Sequence, residues 1–586
     1  MIRKLIRQML VAQIFSALTV SLCLLIDSII IGQYLGVGAI AAYGLANPIL
    51  LIIGAIGSAL SAGVQVVCSR SLGRGSQEET NEGYSTAIGM ALAFSIPFMI
   101  LVLLLSGPVS RILGAREGQL FTDTRAYVRG FIIGAPATMG ALILVPFLQM
   151  AGKTGLLIAS VGAMTVTDIV LDILNVTVFH GGMFGMGLAS SLSYYAALLI
   201  GGAYFVSKKC FFKFSFSRIH LKKMKELVKD SVPAVFNMAS SVILVFVMNR
   251  ILLRTGASAA VAAFSVISTI GNAACCITTG IGGVSLTLTG IFYNEEDRTS
   301  LQVLLRELAH AALVLGAVVG ILLMFFSPNA VSLFIKEAGA SRKMAVSGLR
   351  IYALGLIPCC LNTALKNAFQ GSGRERYTEI ISVLEGALFP ILAALVLTAL
   401  FGTGGAWYYF FVGDMLTLAA ICLFVWKKTG KAAWKDMNVM MLPDDFSVRP
   451  NEMVEMDIRT LEDVEKASEA VFGFCRMYAK DSRICHRLAV CVEEMGANVV
   501  QHGFTKDQKE HQLSVRLMHK NGQWTLRFRD DCTAFDPIHY IPTSPEKAEK
   551  MGIRLVMGLA DEVRYTYSMS LNNLMIILRD DHESGK

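Results

Sequence analysis

Residues 9–32 read MLVAQIFSALTVSLCLLIDSIIIG, a predominantly apolar stretch with one carboxylate, Asp27, near its far end. About 20 such residues are enough to cross a bilayer as a helix. An ionisable group inside a membrane helix costs on the order of 3 kcal/mol, so it is rarely kept there without a task. Asp27 therefore reads in one of two ways: a helix-end residue at the headgroup level, or a cation or proton site facing the interior of a helix bundle.

Working outward, this helix is one of many. The 586-residue chain is 54% hydrophobic and 16% charged, with a mean hydropathy of +0.56; soluble proteins carry roughly 25% charged residues. The average hides a break. Apolar segments run almost without interruption to Trp426, and from Lys427 onward the chain reads as a soluble domain. The pattern predicts an all-α polytopic membrane unit followed by one in water. Hydropathy supports about twelve spans, near residues 10–31, 41–67, 85–106, 126–151, 155–178, 185–206, 231–252, 258–291, 307–327, 349–370, 378–401 and 405–426.

The formal net charge of +8 follows the loops. Basic residues gather at Arg3, Lys4 and Arg7, at Arg70 and Arg74, at Arg374 and Arg376, densely from Lys208 to Lys229, and again at Lys427, Lys428, Lys431 and Lys435. The short loops at 33–40, 180–182 and 402–404 carry none, whereas those near 111–129 and 336–350 carry a few. By the positive-inside rule both termini and the C-terminal domain lie in the cytoplasm, with the bundle in the cell membrane. This distribution calls for a lipid bilayer as partner and no nucleic acid. None of the twelve cysteines is spaced C-x-x-C, so no disulfide framework or zinc site is expected. The first helix lacks a small-residue cleavage site and is expected to stay as an anchor.

The membrane unit repeats itself. AIAAY from Ala39 answers AVAAF from Ala260, and Gln149 in FLQMAGKT answers Gln370 in AFQGSGRE, both at an offset of 221 (260 − 39 and 370 − 149). Six spans per half keep both halves in one orientation, hence parallel repeats about an axis along the membrane normal. The expected organisation is a first lobe over 1–206, a basic linker over 207–230, a second lobe over 231–430, a linker over 431–450 and a soluble domain over 451–586.

The continuation from Asp27, DSIIIGQYLGVGAIAAYGLANPI, resembles the first two helices of the MATE (multidrug and toxic-compound extrusion) transporters through Asp27, Gly32, Gly36, Ala41, Ala42, Gly44 and Pro48. The segment from Ser69-Arg70 to Gly73-Arg74-Gly75 is similar to the family's S-R-x-L-G-x-G. TVTDIVLDILNV places Asp168 and Asp172 four apart, on one helical face. The family carries N-x-x-L-D-P there; this chain has Asp168 for Asn and Ile173 for Pro. The resemblance implies an ion-coupling cluster of Asp27 and Asp172 in the first lobe, with Asp168 as a third member, loading H⁺ or Na⁺. Three carboxylates close together in low dielectric cannot all ionise, so they titrate as a set. In the second lobe Asn249 falls near the repeat partner of Asp27, and Glu385 and Asp414 are the remaining charges well inside spans. Glu385 is open to pairing with a basic side chain and Asp414 to serving a cation cavity; each reads equally as structural. No G-x-x-x-x-G-K-[ST] phosphate loop occurs, so an ion gradient is the expected drive.

In the soluble part, VEMDIRT, HQLSVRLMHK, QWTLRFRD, DEVRYTYS and LMIILRD alternate as strands, and 461–480 and 483–500 have helical periodicity. The expectation is an α+β layer of helices on a mixed antiparallel sheet. Glu494, Asn498 and His502 recur every four residues. This row resembles the Asn box of the GHKL ATPases, most closely the anti-sigma-factor serine kinases. RFRDDCTAFDP, from Arg527, and MGIRLVMGLADEVRYTYSMSLNNL, from Met551, are similar to the two later boxes. By that resemblance Asn498 holds Mg²⁺ on the nucleotide phosphates, Glu494 is the base, Asp530 accepts from the adenine amine, and Gly552 and Asn572 belong to the ATP site. Cys532 and Arg554 replace glycines of the pattern, which leaves open ATP binding, catalysis and a regulatory module without ligand. The leading expectation is an H⁺- or Na⁺-coupled antiporter exporting amphipathic cationic small molecules, its cytoplasmic domain sensing a nucleotide or a regulatory protein. Two alternatives stand beside it, a membrane-tethered serine kinase or partner-switch regulator and a flippase for lipid-linked precursors.

Overall fold

The computed structural model describes residues 2–115, 117–207, 210–335, 339–443, 446–448, 452–479, 481–506, 510–520, 522–539 and 549–579; Lys208, Lys209 and Lys336 of the expected basic loops lie outside them. The first lobe comprises α1 (Ile2–Ile30), α2 (Val37–Gly73), α3 (Gln77–Leu104), α4 (Ser106–Ile112), α5 (Gly118–Ile132), α6 (Ala135–Met150), α7 (Thr154–Leu174) and α8 (Gly182–Val206). The second comprises α9 (Leu221–Ala274), α10 (Cys276–Asn294), α11 (Arg298–Ser332), α12 (Ala340–Leu354), α13 (Leu356–Gly371), α14 (Glu375–Val383), α15 (Phe389–Phe401), α16 (Thr403–Ala406) and α17 (Tyr409–Thr429). Among the described residues ten helices are long and apolar enough to cross a membrane, and twelve spans result if each of two bent pairs counts as one.

Helix boundaries repeat at the offset seen in the sequence: α11 starts 298 − 77 = 221 residues after α3, and α14 starts 375 − 154 = 221 after α7. The bends repeat too, by 48° between α5 and α6 and by 47° between α12 and α13. Their cause is local. Pro136 and Pro358 each lie four residues beyond the last residue of the preceding helix, Ile132 and Leu354. A proline ring clashes with the carbonyl four residues back and ends the helix there.

Most helices run several residues beyond the expected spans, and two departures in the second lobe matter most. The helical backbone of α9 starts at Leu221, ten residues before the expected span, and the second span of this lobe is interrupted at Cys275 rather than continuous. Asn237 and Asn272 line the same cavity, although 35 residues of straight helix would separate them by about 52 Å. The chain therefore doubles back within α9, beyond Thr255. Both expected linkers are packed structure. Lys213 N and Ser215 N donate to Asn81 Oδ1 and Ser85 Oγ of α3 at 2.9 and 3.1 Å. Between the second lobe and the soluble domain, Val439, Met440 and Phe446 are buried, and Phe446 stacks on Tyr293.

The soluble domain runs β1 (Met453–Ile458), α18 (Leu461–Tyr478), α19 (Ser482–Asn498), β2 (Leu513–Lys520), β3 (Gln523–Asp530), α20 (Glu549–Leu559), β4 (Glu562–Ser568) and β5 (Leu571–Arg579). The sheet order is β1-β2-β3-β5-β4, and every pairing is antiparallel rather than mixed. Alternation sends Trp524, Leu526, Phe528, Leu574 and Ile576 to the face covered by Val464, Val471, Leu488 and Val492 of α18 and α19. The opposite face of β2, β3 and β5 carries Arg516, Arg527, Arg529 and Asn573, all buried.

Candidate functional site

Three features stand out: a carboxylate cluster in the first lobe, a cavity between the lobes, and a cleft in the soluble domain. Asp27 comes from α1, Asp168 and Asp172 from α7, and all three are buried. Helix α1 packs on α7, which brings the Asp27 carboxyl beside the other two. Asp27 Oδ1, Asp168 Oδ1 and both oxygens of Asp172 are buried without a donor among the described residues. Helix α8 closes the cluster with Ser193, whose hydroxyl donates to Ser190 O at 2.8 Å within its own helix, and with Tyr194 beside it; Cys23 and Tyr127 complete the shell. Sequence reading missed this shell, although Ser190, Ser193 and Tyr194 recur at helical spacing. The helix register also changes here. Each π-helical turn among the described residues abuts a candidate site residue: Ile31–Leu35 follows Asp27, Asn175–Phe179 follows Asp172, Leu384–Leu388 holds Glu385 and Val499–Gly503 follows Asn498. Such single turns are a frequent mark of functional positions.

The inter-lobe cavity has a volume of about 1690 Å³ including its mouth. Its wall is rich in hydroxyl and amide side chains, among them Gln13, Ser61, Gln65, Asn237, Asn272 and Thr363. The carboxylate cluster is not part of that wall. Gln13 and Asp27 are 14 residues apart on α1, about 21 Å along the axis, so the cluster sits deeper, away from the soluble domain. At the other end Arg70 of the first lobe pairs with Asp230 at 3.3 Å and Glu375 at 3.6 Å of the second. The family-like Ser69-Arg70 segment is thus an inter-lobe contact.

In the second lobe Glu385 does find its basic partner, Lys366 of α13, with Nζ to Oε2 at 2.7 Å. Lys366 also donates to Asn237 Oδ1 at 3.1 Å. Asp414 Oδ1 accepts from Asn362 Nδ2 at 3.1 Å. Cys359, Glu385 and Asp414 offer ligand atoms within 4.8 Å of one another, but the Lys366 ammonium already neutralises Glu385, and Asp414 has Asn362 as its donor. Among the described residues the first-lobe cluster has no such cation. Asn249 is half-buried on α9 outside the cavity wall, and Pro48 is exposed within α2.

The soluble domain has a cleft of about 610 Å³ including its mouth, lined by Asn498, His502, Lys506, Asp530, Cys532, Phe535, Tyr565 and Asn572 among others. Strand register sets Asp530 opposite Asn572. Asp530 Oδ1 accepts from Asn572 Nδ2 at 2.7 Å and from Cys532 N at 3.0 Å, and Asn572 Oδ1 accepts from Tyr565 OH at 2.7 Å. Asn572 therefore orients Asp530. Burial pushes the Asp530 carboxyl above the ordinary range, although the donors from Asn572 and Cys532 pull it down. Cys532 does not occupy a left-handed backbone conformation, and its sulfur lies over Gly503, so glycine is not needed there for backbone freedom. Gly552 packs directly on the carboxylate of exposed Glu494, which would have to swing aside for any side chain there. Neither Glu494 nor Arg554 lines the cleft, and Asp530 is the one carboxylate among the described lining residues. Sequence reading missed Lys506, which lies over the Phe535 ring at 5.5 Å.

The fold is that of a two-lobed membrane transporter built from repeated six-span halves, carrying an ATPase-type domain at one end. The chain belongs to the MatE family, whose model matches residues 12–174 and 233–396, two copies starting 233 − 12 = 221 apart. Residues 459–578 match the histidine kinase-like ATPase domain. Similar curated proteins include the multidrug export protein MepA of Staphylococcus saprophyticus, 24% identical over 391 residues, covering 66% of this chain and 85% of that protein. MepA of Staphylococcus aureus is also 24% identical, over 426 residues, covering 71% and 88%. Among solved structures, a MATE protein in complex with MaL6 aligns with TM-score 0.68 at 19% identity, covering 75% of this chain and 98% of that one. An outward-facing multidrug resistance MATE transporter of the MOP superfamily aligns at 0.68 and 19%, covering 75% and 97%.

Proposed function

We propose that this protein is a cation-coupled exporter of small amphipathic, cationic molecules. Its first-lobe carboxylates carry the coupling ion, and its soluble domain binds an adenine nucleotide as a regulator. The observation that carries the transport reading is the cluster of Asp27, Asp168 and Asp172, buried, carboxyl beside carboxyl, and short of donors. A proton or Na⁺ supplies what those oxygens lack, and release on the opposite side returns the repulsion. The family membership and the multidrug export relatives support a small-molecule cargo. The cavity wall supports it as well: the one ammonium among its described lining residues, Lys366, is neutralised by Glu385, which disfavours the strongly cationic cavity a flippase for anionic lipid-linked precursors requires. Basic loop residues support placing the soluble domain in the cytoplasm.

For the nucleotide, the cleft residues fit an adenine ring. Asp530 is held at the base of a cleft walled by Phe535, Tyr565 and Val499, and Lys506 with His502 lies at its rim for phosphate oxygens. Mg²⁺ would rest on Asn498. With Glu494 outside the cleft lining, the geometry supports binding more than phosphoryl transfer. Ionophore-sensitive efflux of a cationic dye from inverted vesicles, wild type against Asp27→Asn, tests the transport reading. Efflux indifferent to every imposed H⁺ or Na⁺ gradient shifts the weight to the regulator reading. Titration of the purified full-length chain with a fluorescent ATP analogue tests the nucleotide.

A further inference from the structure

The soluble sheet is bound to both lobes at once. On the second-lobe side, the loop from Asn294 to Asp297, between α10 and α11, is fastened by four cations of β2 and β3. Arg516 and Arg527 reach Asp297 at 2.6 and 2.9 Å, Arg529 pairs with Glu295, and Lys520 meets Glu296 at 2.5 Å. Asn573 of β5 adds a donor to Glu295 at 3.1 Å. Asp297 is completely buried and also receives Ser300 N at 3.0 Å, which pins the clasped carboxylate to the first turn of α11. Arg516, Arg527 and Arg529 are nearly as deeply buried. Guanidiniums on the outer face of a soluble sheet are not normally sealed from water unless a partner covers them.

On the first-lobe side, the tip of the β4–β5 hairpin docks on the turn after α6. Met569 N donates to Met150 O at 2.6 Å and Ser570 Oγ to Gly152 O at 3.0 Å. Met569 and Ser570 have φ of 56° and 60°, as the favoured turn of a two-residue hairpin between Ser568 and Leu571 requires. Arg564 packs on Gly75, and Gly73 packs against Ile291 and Asn294 of α10. The two repeat-related loops, 73–75 and 294–297, thus meet under one sheet.

We infer that the soluble domain is an intramolecular clasp that spans the two lobes and restrains their relative movement, its grip set by the occupant of its own cleft. A rigid sheet fixed to Asp297 on one lobe and to Met150 and Gly152 on the other must surrender one attachment when the lobes rock. The cleft acts on the same strands. In β3, Asp530 faces the cleft and the adjacent Arg529 faces Glu295; in β5, Asn572 faces the cleft, Asn573 faces Glu295, and the docked hairpin tip lies just before them. A ligand that draws on Asp530 and Asn572 bears on Arg529 and Asn573, each one position away and both held by Glu295, and on Ser570, two positions before Asn572, at the other attachment. The cleft half of this inference rests on the nucleotide reading above; the clasp itself does not.

The test uses the full-length chain in proteoliposomes. In Lys520→Cys/Glu296→Cys, a cleavable bifunctional thiol reagent pins the sheet to the second lobe. A protease site placed at 444–445 reports whether the two fragments stay joined, with the single-cysteine variants as controls. The expected result is at least a tenfold loss of gradient-driven efflux on pinning, restored by cleaving the reagent. Glu295→Arg, which repels Arg529, is expected to raise efflux at least threefold and erase its response to ATP or a non-hydrolysable analogue; Glu295→Arg/Arg529→Glu restores both. Maleimide labelling of Asn573→Cys, a position buried beneath the clasp, gives a readout independent of transport, rising at least threefold in the Glu295→Arg background. Efflux by the pinned protein at the unpinned rate overturns the clasp while leaving the exporter reading intact. Wild-type efflux and labelling that both ignore nucleotides bound in the cleft overturn its control of the grip. Absence of efflux in every form defeats the exporter reading, and the clasp then falls only if labelling also ignores Glu295→Arg.

Discussion

Asp172→Asn separates an ion site from a structural contact, because the two readings predict opposite signs of stability change. Asp172 is fully buried, and neither carboxylate oxygen has a donor among the described residues. A buried polar atom without a partner costs about 1–3 kcal/mol, and a hydrogen bond to a charged group contributes about 1.5–3 kcal/mol. The substitution keeps the shape, removes one of three crowded carboxylates, and introduces an amide whose N–H groups can donate to Asp27. We therefore expect the variant to be more stable by about 1–3 kcal/mol, a rise of roughly 2–6 °C in Tm. Gradient-driven efflux should fall more than tenfold, since an amide binds neither a coupling proton nor Na⁺ with charge. Thermal unfolding of the purified protein in nanodiscs, read beside vesicle efflux, makes both measurements on one preparation. A lower Tm with efflux intact would refute the reasoning and make Asp172 a helix–helix contact. Stability gained at the expense of activity is the signature of a site held strained for function.

Further outcomes follow from other residues. Asp530→Asn removes the acceptor at the base of the cleft and should weaken binding of an ATP analogue at least tenfold, measured by fluorescence titration. Burial raises the Asp530 carboxyl despite its donors, so as pH falls it takes up its proton before an ordinary aspartate, near 3.9, would. Nucleotide affinity should therefore weaken, and the domain's stability deficit from this charge be relieved, in a window above that value. Asp297 behaves oppositely: burial pushes its carboxyl up, but Arg527, Arg516 and Arg529 outweigh burial and hold it well below the usual range. Its contribution is fully present above the unfolded value, about 3.9, and is lost only as pH falls through the lower folded one, so hydrogen exchange of the β2 and β3 amides, corrected for its intrinsic pH dependence, should stay protected down to about pH 4. Lys366→Met leaves Glu385 buried without its cation and should destabilise the protein by about 3–5 kcal/mol, whereas Lys366→Met/Glu385→Gln should recover most of that in a thermal melt. Trp524→Ala, emptying a fully buried site in the sheet core, should cost the soluble domain about 3–5 kcal/mol, seen as early proteolysis of that domain.

Much of this molecule was legible in its sequence because the information is local or periodic. Apolar runs of bilayer length marked the spans, and the offset of 221 marked the repeat. The i, i+4 spacing of Asp168 and Asp172 put them on one face before any fold was known. Alternation in QWTLRFRD and LMIILRD identified strands whose register then set Asp530 beside Asn572. The prolines at 136 and 358 foreshadow the bends, though only helices of known length show that each acts on the final carbonyl of its predecessor.

Other relations are set by distance across the chain, and sequence periodicity does not encode them. Asp27 joins Asp168 and Asp172, 141 and 145 residues on (168 − 27 and 172 − 27), because α1 packs on α7; by sequence alone only family resemblance connected them. Arg527 and Arg529 alternate like any solvated strand face, and Glu295, Glu296 and Asp297 like any acidic loop. Only tertiary packing brings a loop some 230 residues distant onto that face and buries both partners. Hydropathy and periodicity record which surface of an element turns from water, and so they determined the spans, the repeat and the strands. Which two surfaces then cover each other depends on shape and charge complementarity between whole elements, and that the folded chain alone decided.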